Sequence, residues 1–146
     1  LFFQGEMDRC FRSYDETVHH PHYKPFQTTI QAMKKFTQAH GLRLAVMFLP
    51  TKDEVYEWVL RGRQPWTSNR APSSLSRALK ETCGADGLPY FDAKPFLIDR
   101  SRSLFEKNGE LLWWRDDSHM GPNGHEAVAD FVHDKVLGTL GAPNTH

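Results

Sequence analysis

Residues 42–50 read LRLAVMFLP, and this nearly continuous apolar run decides the fold class. A run without the alternation of a half-exposed strand is typical of a strand that is buried on both faces, as in a parallel sheet. It ends at Pro50, and Thr51 and Glu54 follow with the spacing of a capping box. That pattern predicts a helix that begins after Thr51 and extends to about Leu60.

Further helices and a second strand are predicted on either side of this run. Residues 26–40 carry apolar side chains at helical spacing, and Gly41 follows where a helix commonly ends. The apolar residues of that helix are Phe26, Ile30, Met33 and Phe36. The remaining predicted elements are a helix over 74–83, a strand over 88–92 (LPYFD), a helical turn over 100–107 and a last helix opened by Asn123 and Glu126. The apolar stripe of the last helix comprises Val128, Phe131, Val132, Val136 and Leu140.

This order of helices and strands predicts an α/β fold. Right-handed crossovers between parallel strands would place helices on both faces of the sheet. Only two strands are predicted, and a two-stranded parallel sheet is too small to be stable by itself. Either weak strands are hidden in the N-terminal lead-in, or the two strands are an incomplete part of a larger parallel sheet.

The amino-acid composition limits the kinds of protein that the chain can be. The chain has 146 residues, of which 39% are hydrophobic and 25% charged, as expected for one domain with a core. Its 18 basic and 18 acidic residues balance, so no nucleic-acid or anionic-membrane partner is expected. No apolar run is long enough to span a membrane. Cys10 and Cys83 lack metal-binding spacing, and two free thiols are favoured over a disulfide.

Residues 116–125 read DDSHMGPNGH, in which two acids precede a histidine at the start of a turn. An acid two or three positions before a histidine can hold the imidazole in one tautomer, so that the ring acts as a general base. Open α/β sheets place such groups on loops at the carboxyl ends of their strands. The stretch is therefore a candidate acid–base pair; an exposed histidine beside a turn-capping acid is the simpler alternative.

Three stretches together resemble one family. Residues 116–132, DDSHMGPNGHEAVADFV, resemble the last motif of SGNH/GDSL hydrolases, in which D-x-x-H or D-x-H precedes an NxxGH-like turn and a small apolar helix. Residues 41–56, GLRLAVMFLPTKDEVY, are similar to the strand, Pro-Thr-Lys and helix segment of SGNH-like proteins related to alginate O-acetylation and of envelope GDSL-type proteins. Residues 87–97, GLPYFDAKPFL, match the position of the next strand. The resemblance covers most of 26–141.

The resemblance implies a fold and a set of roles. The chain would be the C-terminal portion of a flavodoxin-like SGNH domain with three α/β/α layers. His119 would be the general base, and the orienting acid would be Asp117 under D-x-H or Asp116 under D-x-x-H. We favour Asp117, because DSHMGPNG aligns with the D-x-H-W-N-x-x-G turn of the alginate-acetylation relatives, from which Met120 departs. No metal and no cofactor is expected.

The nucleophile that this base would serve is missing from the chain. The family's serine lies in a GDS motif, and its oxyanion donors are a Gly and an Asn from two later motifs; none of these occurs here. Helix capping explains the serines of 73–76, and Ser101, Ser103 and Ser118 have no evident partner. We therefore expect the C-terminal half of an SGNH domain, with the missing half upstream, that is inactive alone.

Other candidate sites have simpler structural explanations. The HHPH stretch at 19–22 contains metal-ligand residues, but Pro21 prevents a shared helical face, and a surface loop is favoured. Trp113 and Trp114 would suit stacking on a sugar, although one ring in the core and one in solvent is favoured. Residues 61–70, RGRQPWTSNR, fit either recognition of an anionic or saccharide ligand or a solvated loop.

The sequence thus predicts part of a serine esterase or O-acyltransferase of SGNH type. Its substrate would be a small acyl ester or an acylated glycan, and the resemblance implies a periplasmic or cell-envelope location. The alternative is a non-enzymatic binding or scaffolding domain that keeps the turn as structure. Because half a parallel sheet leaves strand edges and an apolar face exposed, the isolated chain is expected to self-associate or to pair with its missing half.

The predicted division of the chain has four parts. Residues 1–6 (LFFQG and Glu6) resemble the remnant of a protease-cleavable tag and are excluded from the functional interpretation. Residues 7–25 are expected to form an irregular lead-in. The SGNH-like half occupies 26–141, and 142–146 form a disordered tail.

Overall fold

The computed structural model of the chain describes residues 11–62 and 67–141. The predicted tag remnant, Cys10 and the predicted tail at 142–146 lie outside the described residues. In chain order the elements are α1 (Tyr14–Val18), α2 (Tyr23–Ala39), β1 (Val46–Phe48), α3 (Lys52–Val55), α4 (Glu57–Leu60), α5 (Ser74–Ala85), β2 (Tyr90–Asp92), α6 (Lys94–Asn108), α7 (Pro122–Phe131), a π-helical segment (Val132–Leu137) and α8 (Gly138–Gly141). Within the described ranges, no helix is both long and apolar enough to cross a membrane.

The sheet is parallel, as predicted. β1 pairs directly with β2, with Met47 opposite Phe91. β1 is three residues long, however, and Val46 and Met47 are only half-buried, so the predicted burial of the strand on both faces is incomplete. The reason is the size of the sheet: in the described part of the chain each strand has one neighbour, and its other edge is open.

Helices cover both faces of this small sheet. Met47 and Phe91 contact the main core, whereas Tyr90 and Asp92 point to the opposite face, where both bond to Ser76 of α5. This alternation is what the pleat of a strand requires. The main core is built by α3, α6, α7 and the segment before α7; its buried members are Val55, Tyr56, Ala93, Leu97, Ile98, Leu112, Trp113, Ala127, Phe131 and Val136. The layers agree with the predicted partial α/β/α domain.

The predicted capping box at the end of β1 is present, but the helix after it is broken. The Thr51 hydroxyl accepts from the Glu54 amide, and the Glu54 carboxylate accepts from the Thr51 amide at 2.9 Å. The helix then breaks at Tyr56, because the Ser68 hydroxyl donates to the Val55 carbonyl at 2.7 Å. A side chain that takes a carbonyl from the helical ladder interrupts the helix. The residue responsible is thirteen positions away in sequence, so local spacing does not reveal it.

Two other helices differ from their predicted bounds. The helical turn predicted at 100–107 is the end of α6, which begins at Lys94. Pro95 is tolerated in its first turn because proline has no N–H, and an N–H there would have no acceptor within the helix. The last helix begins at Pro122 after Gly121, so Asn123 is not its cap. Asn123 instead donates from its side chain to Glu110.

The N-terminal region corrects two further predictions. The expected irregular lead-in contains α1, which a capping box between Ser13 and Glu16 opens. The apolar stripe of α2 is buried only at Ile30; Met33 and Phe36 are 47% and 61% exposed. Association of the chain with a second copy or with a missing half stays a prediction.

Candidate active site

The loop that carries the two acids and the histidine is closed at its base by backbone hydrogen bonds. Trp113 and Met120 form an antiparallel bridge, and the Trp114 amide donates to the His119 carbonyl at 3.1 Å. The Gly121 amide donates to the Leu112 carbonyl at 2.9 Å. We call residues 112–121 the Asp–His loop. Its two ends are therefore fixed to each other before α7 begins.

A close backbone contact joins this loop to α7. A Cβ atom built at Gly124 would lie 2.3 Å from the Leu112 carbonyl oxygen and 3.2 Å from the Leu112 carbonyl carbon. No side chain fits at that distance, so the second glycine of the GPNGH stretch is required by packing. It allows the first turn of α7 to lie directly on the base of the Asp–His loop.

Asp117 and His119, the candidate acid and base of the sequence analysis, are in direct side-chain contact. Asp117 Oδ1 lies 2.7 Å from His119 Nδ1 and also accepts from the His119 amide at 3.3 Å. Because an ionised carboxylate can only accept, Nδ1 carries the ring proton and Nε2 is left as the basic nitrogen. The hydrogen bond from His119 holds the pKa of Asp117 below its usual range, with further help from the backbone amides of His119 and Ser118.

The second candidate acid does not take part in this contact. Asp116 is exposed, and within the described ranges the His119 ring bonds to Asp117 rather than to Asp116. Both members of the pair are open to solvent, with the His119 side chain 80% and the Asp117 side chain 52% exposed. The pair is thus a surface contact whose geometry depends on the loop that carries it.

A buried lysine binds this loop from the other side. Lys52, the first residue of α3, donates from Nζ to the carbonyl oxygens of Trp114 at 2.8 Å, Arg115 at 2.9 Å and Asp117 at 3.0 Å. The residue is 6% exposed. The segment after β1 and the Asp–His loop are therefore in direct contact, although 62 or more positions separate them.

These two segments border a cleft of about 610 Å³. The cleft lies at the carboxyl end of β1, where the fold class places functional loops. Apolar residues from β1, α5, α7 and the Asp–His loop form part of its lining, and His119 and Ser118 lie on it. The full lining is Phe48, Leu49, Pro50, Thr51, Lys52, Glu54, Ser73, Leu75, Trp113, Ser118, His119, Met120, His125 and Val128.

Glu54 brings a buried carboxyl group to the wall of this cleft. The residue is 2% exposed, and its Oε1 atom has no hydrogen-bond partner, whereas Oε2 accepts from Thr51. Burial raises the pKa of Glu54, and the Thr51 amide and the Lys94 charge oppose that rise only in part. A carboxyl group in such surroundings favours its protonated form.

The described serines make contacts other than with the His119 ring. Ser73 caps α5, as predicted, and lines the cleft, whereas Ser76 is buried and bonds to Tyr90 and Asp92 instead of capping. Ser101 is fully buried in α6. In residues 11–62 and 67–141, no serine hydroxyl hydrogen-bonds to the His119 ring.

The remaining candidates of the sequence have structural roles. Trp113 is 4% and Trp114 55% exposed, which is the favoured arrangement of one ring in the core and one in solvent. In the arginine-rich stretch, Arg61 pairs with Glu57 and Arg70 with Asp99, while 63–66 lie outside the described residues. Cys83 is a buried free thiol.

The histidines of 19–22 follow α1, and the rings of His20 and His22 have centroids 5.3 Å apart. Among the side chains that the structure describes, no three His, Cys, Asp or Glu residues are placed so that they could hold a metal ion.

Two residues of the site were not predicted from sequence, namely Lys52 and Glu54. Both lie in the Pro-Thr-Lys and helix segment that the sequence already singled out. A lysine at the start of a helix is normally solvated, and Glu54 was explained by its role in the capping box. Only the position of the Asp–His loop above α3 gives them a place in the site.

Comparison with known proteins identifies a family. The model of a family described as the SGNH hydrolase-like domain of acetyltransferase AlgX matches residues 3–145, which is nearly the whole chain. No curated protein and no solved structure matches it.

Proposed function

The chain belongs to the family of SGNH hydrolase-like domains of acetyltransferase AlgX, with a general SGNH-type O-acyl function, and we propose that it supplies the Asp–His pair of a Ser–His–Asp triad. His119 is the general base, Asp117 is the orienting acid, and the serine nucleophile lies outside this chain. The observation that carries the proposal is the 2.7 Å contact between Asp117 Oδ1 and His119 Nδ1 beside the cleft. Asp116 has no part in it.

The geometry fits the proton transfers of acyl transfer. With Nδ1 bonded to Asp117, His119 Nε2 accepts the proton of the serine hydroxyl as the serine oxygen bonds to the ester carbonyl carbon. The ester C–O bond then breaks, and Nε2 returns the proton to the leaving alcohol. Water or a sugar hydroxyl next attacks the acyl-serine carbonyl carbon and loses its proton to Nε2; the bond from that carbon to the serine oxygen then breaks, and Nε2 returns the proton to the serine oxygen. Water gives hydrolysis, and a sugar hydroxyl gives transfer.

The substrate class that we propose is an O-acyl ester, with an acylated glycan as the specific candidate. The cleft combines an apolar side, formed by residues such as Leu49 and Val128, with polar groups such as Ser73 and Thr51. An acyl group suits the former and a hydroxylated alcohol suits the latter. His119 also lines this cleft, and Asp117 contacts its ring.

The test compares this chain with a chain extended at both ends until it includes the missing serine. We expect the extended chain to hydrolyse a short-chain p-nitrophenyl ester and to react with a fluorophosphonate, which labels activated serines; the chain alone should do neither. Replacing His119 by Ala should lower the rate by about 10²–10⁴-fold, the contribution of a positioned general base.

His133→Ala is the matched control, because His133 is an equally exposed histidine with its own aspartate contact. Its rate should equal that of the unmodified extended chain. An extended chain that reacts equally well without His119 would overturn the proposal. If the extended chain is folded but silent in both assays, the non-enzymatic binding domain becomes the better interpretation.

A further inference from the structure

Lys52 is the one buried cation in direct contact with the Asp–His loop among the described residues. An ammonium group has three N–H donors, and Lys52 directs them at three main-chain carbonyls, those of Trp114, Arg115 and Asp117. Hydrogen bonds from a charged donor are stronger than those between neutral groups. The contacts lie on consecutive and near-consecutive peptide groups, so they fix the course of the backbone there.

At the tip of the loop, the Asp117 carboxylate accepts from the backbone amides of His119 and Ser118. Residues 114–117 are all exposed, so none of them is anchored by packing in the core. Inside the tip, the Asp117 amide reaches the Trp114 carbonyl only at 3.5 Å, which is a weak contact. The shorter backbone–backbone hydrogen bonds of the loop lie at its base. Between that base and the pair, Lys52 adds three hydrogen bonds to the main chain.

The lysine itself is held rigidly. Its helix, α3, begins with the Thr51–Glu54 capping box and ends at Val55, and Val55 and the following Tyr56 are 1% and 3% exposed members of the core. The Tyr56 hydroxyl accepts from the Leu112 amide at 3.1 Å, so the residue that follows α3 also contacts the base of the loop. Lys52 thus links the solvent-exposed loop to the core.

We propose that Lys52 is a positioning residue for the Asp117–His119 pair and acts through the main chain of the Asp–His loop. Its ammonium holds the Asp117 peptide group so that the carboxylate of the same residue meets His119 Nδ1. The groups that lower the pKa of Asp117 are the ring and amide of His119 and the amide of Ser118. Lys52 is not one of them, which agrees with a contact of Lys52 to the main chain of the loop rather than to the carboxylate. Only the effect of this positioning on catalysis rests on the proposed function.

The first test does not need activity. In the chain as it is, long-range ¹H–¹⁵N NMR reports which ring nitrogen of each neutral histidine carries the proton. Lys52→Met removes the three donors and keeps an unbranched apolar side chain. We expect His119 to lose its preference for the Nδ1–H form, while His133 keeps its spectrum and the chain keeps its circular dichroism. Lys80→Met, at an exposed lysine of α5, should change neither histidine.

The second test measures turnover in the extended chain. Lys52→Met should lower kcat by about 10²-fold, as expected for a misplaced catalytic group, with KM changed far less. Lys52→Ala supplemented with propylammonium, which replaces the missing atoms, should regain activity, whereas equal concentrations of propanol and sodium chloride should not restore it. The rescue keeps the test informative if Lys52→Met is poorly folded.

The outcomes separate this inference from the proposed function. A folded Lys52→Met chain in which His119 keeps the Nδ1–H form overturns the positioning role. If Lys52→Met instead unfolds and loses all histidine signals, the role is overturned when propylammonium also fails to restore the activity of Lys52→Ala. If His119 loses its tautomer in Lys52→Met but His119→Ala leaves turnover unchanged, the positioning role stands and the proposed function fails.

Discussion

Two aspartate–histidine pairs lie on the surface of the C-terminal part of the molecule, and they differ in what surrounds them. Asp117 and His119 are 2.7 Å apart, and His133 and Asp134 are 2.9 Å apart. The histidine side chains are 80% and 81% exposed. Distance and exposure therefore do not distinguish the pairs. An acid near an imidazole is a common surface contact, and by itself it identifies no site.

The surroundings do distinguish them. The first pair lies on a loop that Lys52 binds through three carbonyls and that borders the cleft at the end of β1. The second pair consists of neighbouring residues on the outer side of the π-helical segment, and neither of them lines that cleft. A general base needs both a fixed orientation and space for a substrate, and in the described part of the chain only the first pair has both.

The largest effect is expected from a substitution that breaks the first pair but keeps its histidine. In the extended chain, Asp117→Asn should lower kcat by about 10²–10⁴-fold, because an amide can bond to either tautomer and stabilises the imidazolium poorly. Asp134→Asn and Asp116→Asn are the matched controls and should retain full turnover of a p-nitrophenyl ester. A loss in Asp116→Asn comparable to that in Asp117→Asn would assign the orienting role to the other acid.

The second largest effect is expected at the close contact between α7 and the base of the Asp–His loop. Gly124→Ala places a Cβ against the Leu112 carbonyl oxygen, at a distance of 2.3 Å before any shift. We expect the free energy of unfolding to fall by about 1–3 kcal/mol, as for other overpacked sites. Gly84→Ala in α5 has nothing within 4 Å and should be stabilising by about 0.5–1 kcal/mol. Urea denaturation measures both; equal effects would refute the close contact.

A third, smaller effect concerns the buried carboxyl in the cleft beside the first pair. Burial raises the pKa of Glu54, so its contribution to stability is complete at acidic pH and is lost as pH rises through the folded-state pKa. Glu54→Gln can keep the capping box and removes the ionisable group, so the variant should not lose this stability as pH rises. We expect its melting temperature to be higher than that of the original chain near pH 7 but not at acidic pH.

Glu57 provides a control of opposite sign. Burial alone would raise the pKa of Glu57, but hydrogen bonds from Asn69 and Arg61 outweigh it and hold the pKa below its usual range. Its contribution to stability is therefore present above the unfolded-state pKa and is lost as pH falls through the folded-state pKa. Glu57→Gln should melt lower than the original chain near pH 7. Parallel pH profiles for the two variants would contradict both assignments.

The smallest effect is a local titration. The hydrogen bond from His119 lowers the pKa of Asp117, so His119→Ala should return that pKa toward the ordinary aspartate range. His133→Ala should leave it unchanged. Carboxyl ¹³C NMR across the acidic range resolves the two variants. An Asp117 pKa that is the same in all three chains would mean that the 2.7 Å contact is not populated in solution.

Elements with a local cause were predictable from sequence. The Thr51–Glu54 capping box, the strand of LPYFD and the Ser73 cap of α5 each follow from interactions that span a few residues. Elements whose cause is distant were missed or misplaced. Ser68 breaks the helix after β1 from thirteen positions away, and the π-helical turn lies where Phe131 and Val136 are both buried at a spacing of five.

The amino-acid sequence by itself determined the fold class, the family and the candidate pair, because hydrophobic runs, caps and the D-x-H spacing are written in consecutive residues. Its spacing allowed either Asp116 or Asp117 to contact His119, and only the family resemblance favoured Asp117. Tertiary structure decided that choice by geometry: Lys52, more than 60 positions earlier in the chain, binds the Asp117 carbonyl, and the Asp117 side chain meets the ring. A contact between distant segments exists only once the core has brought them together.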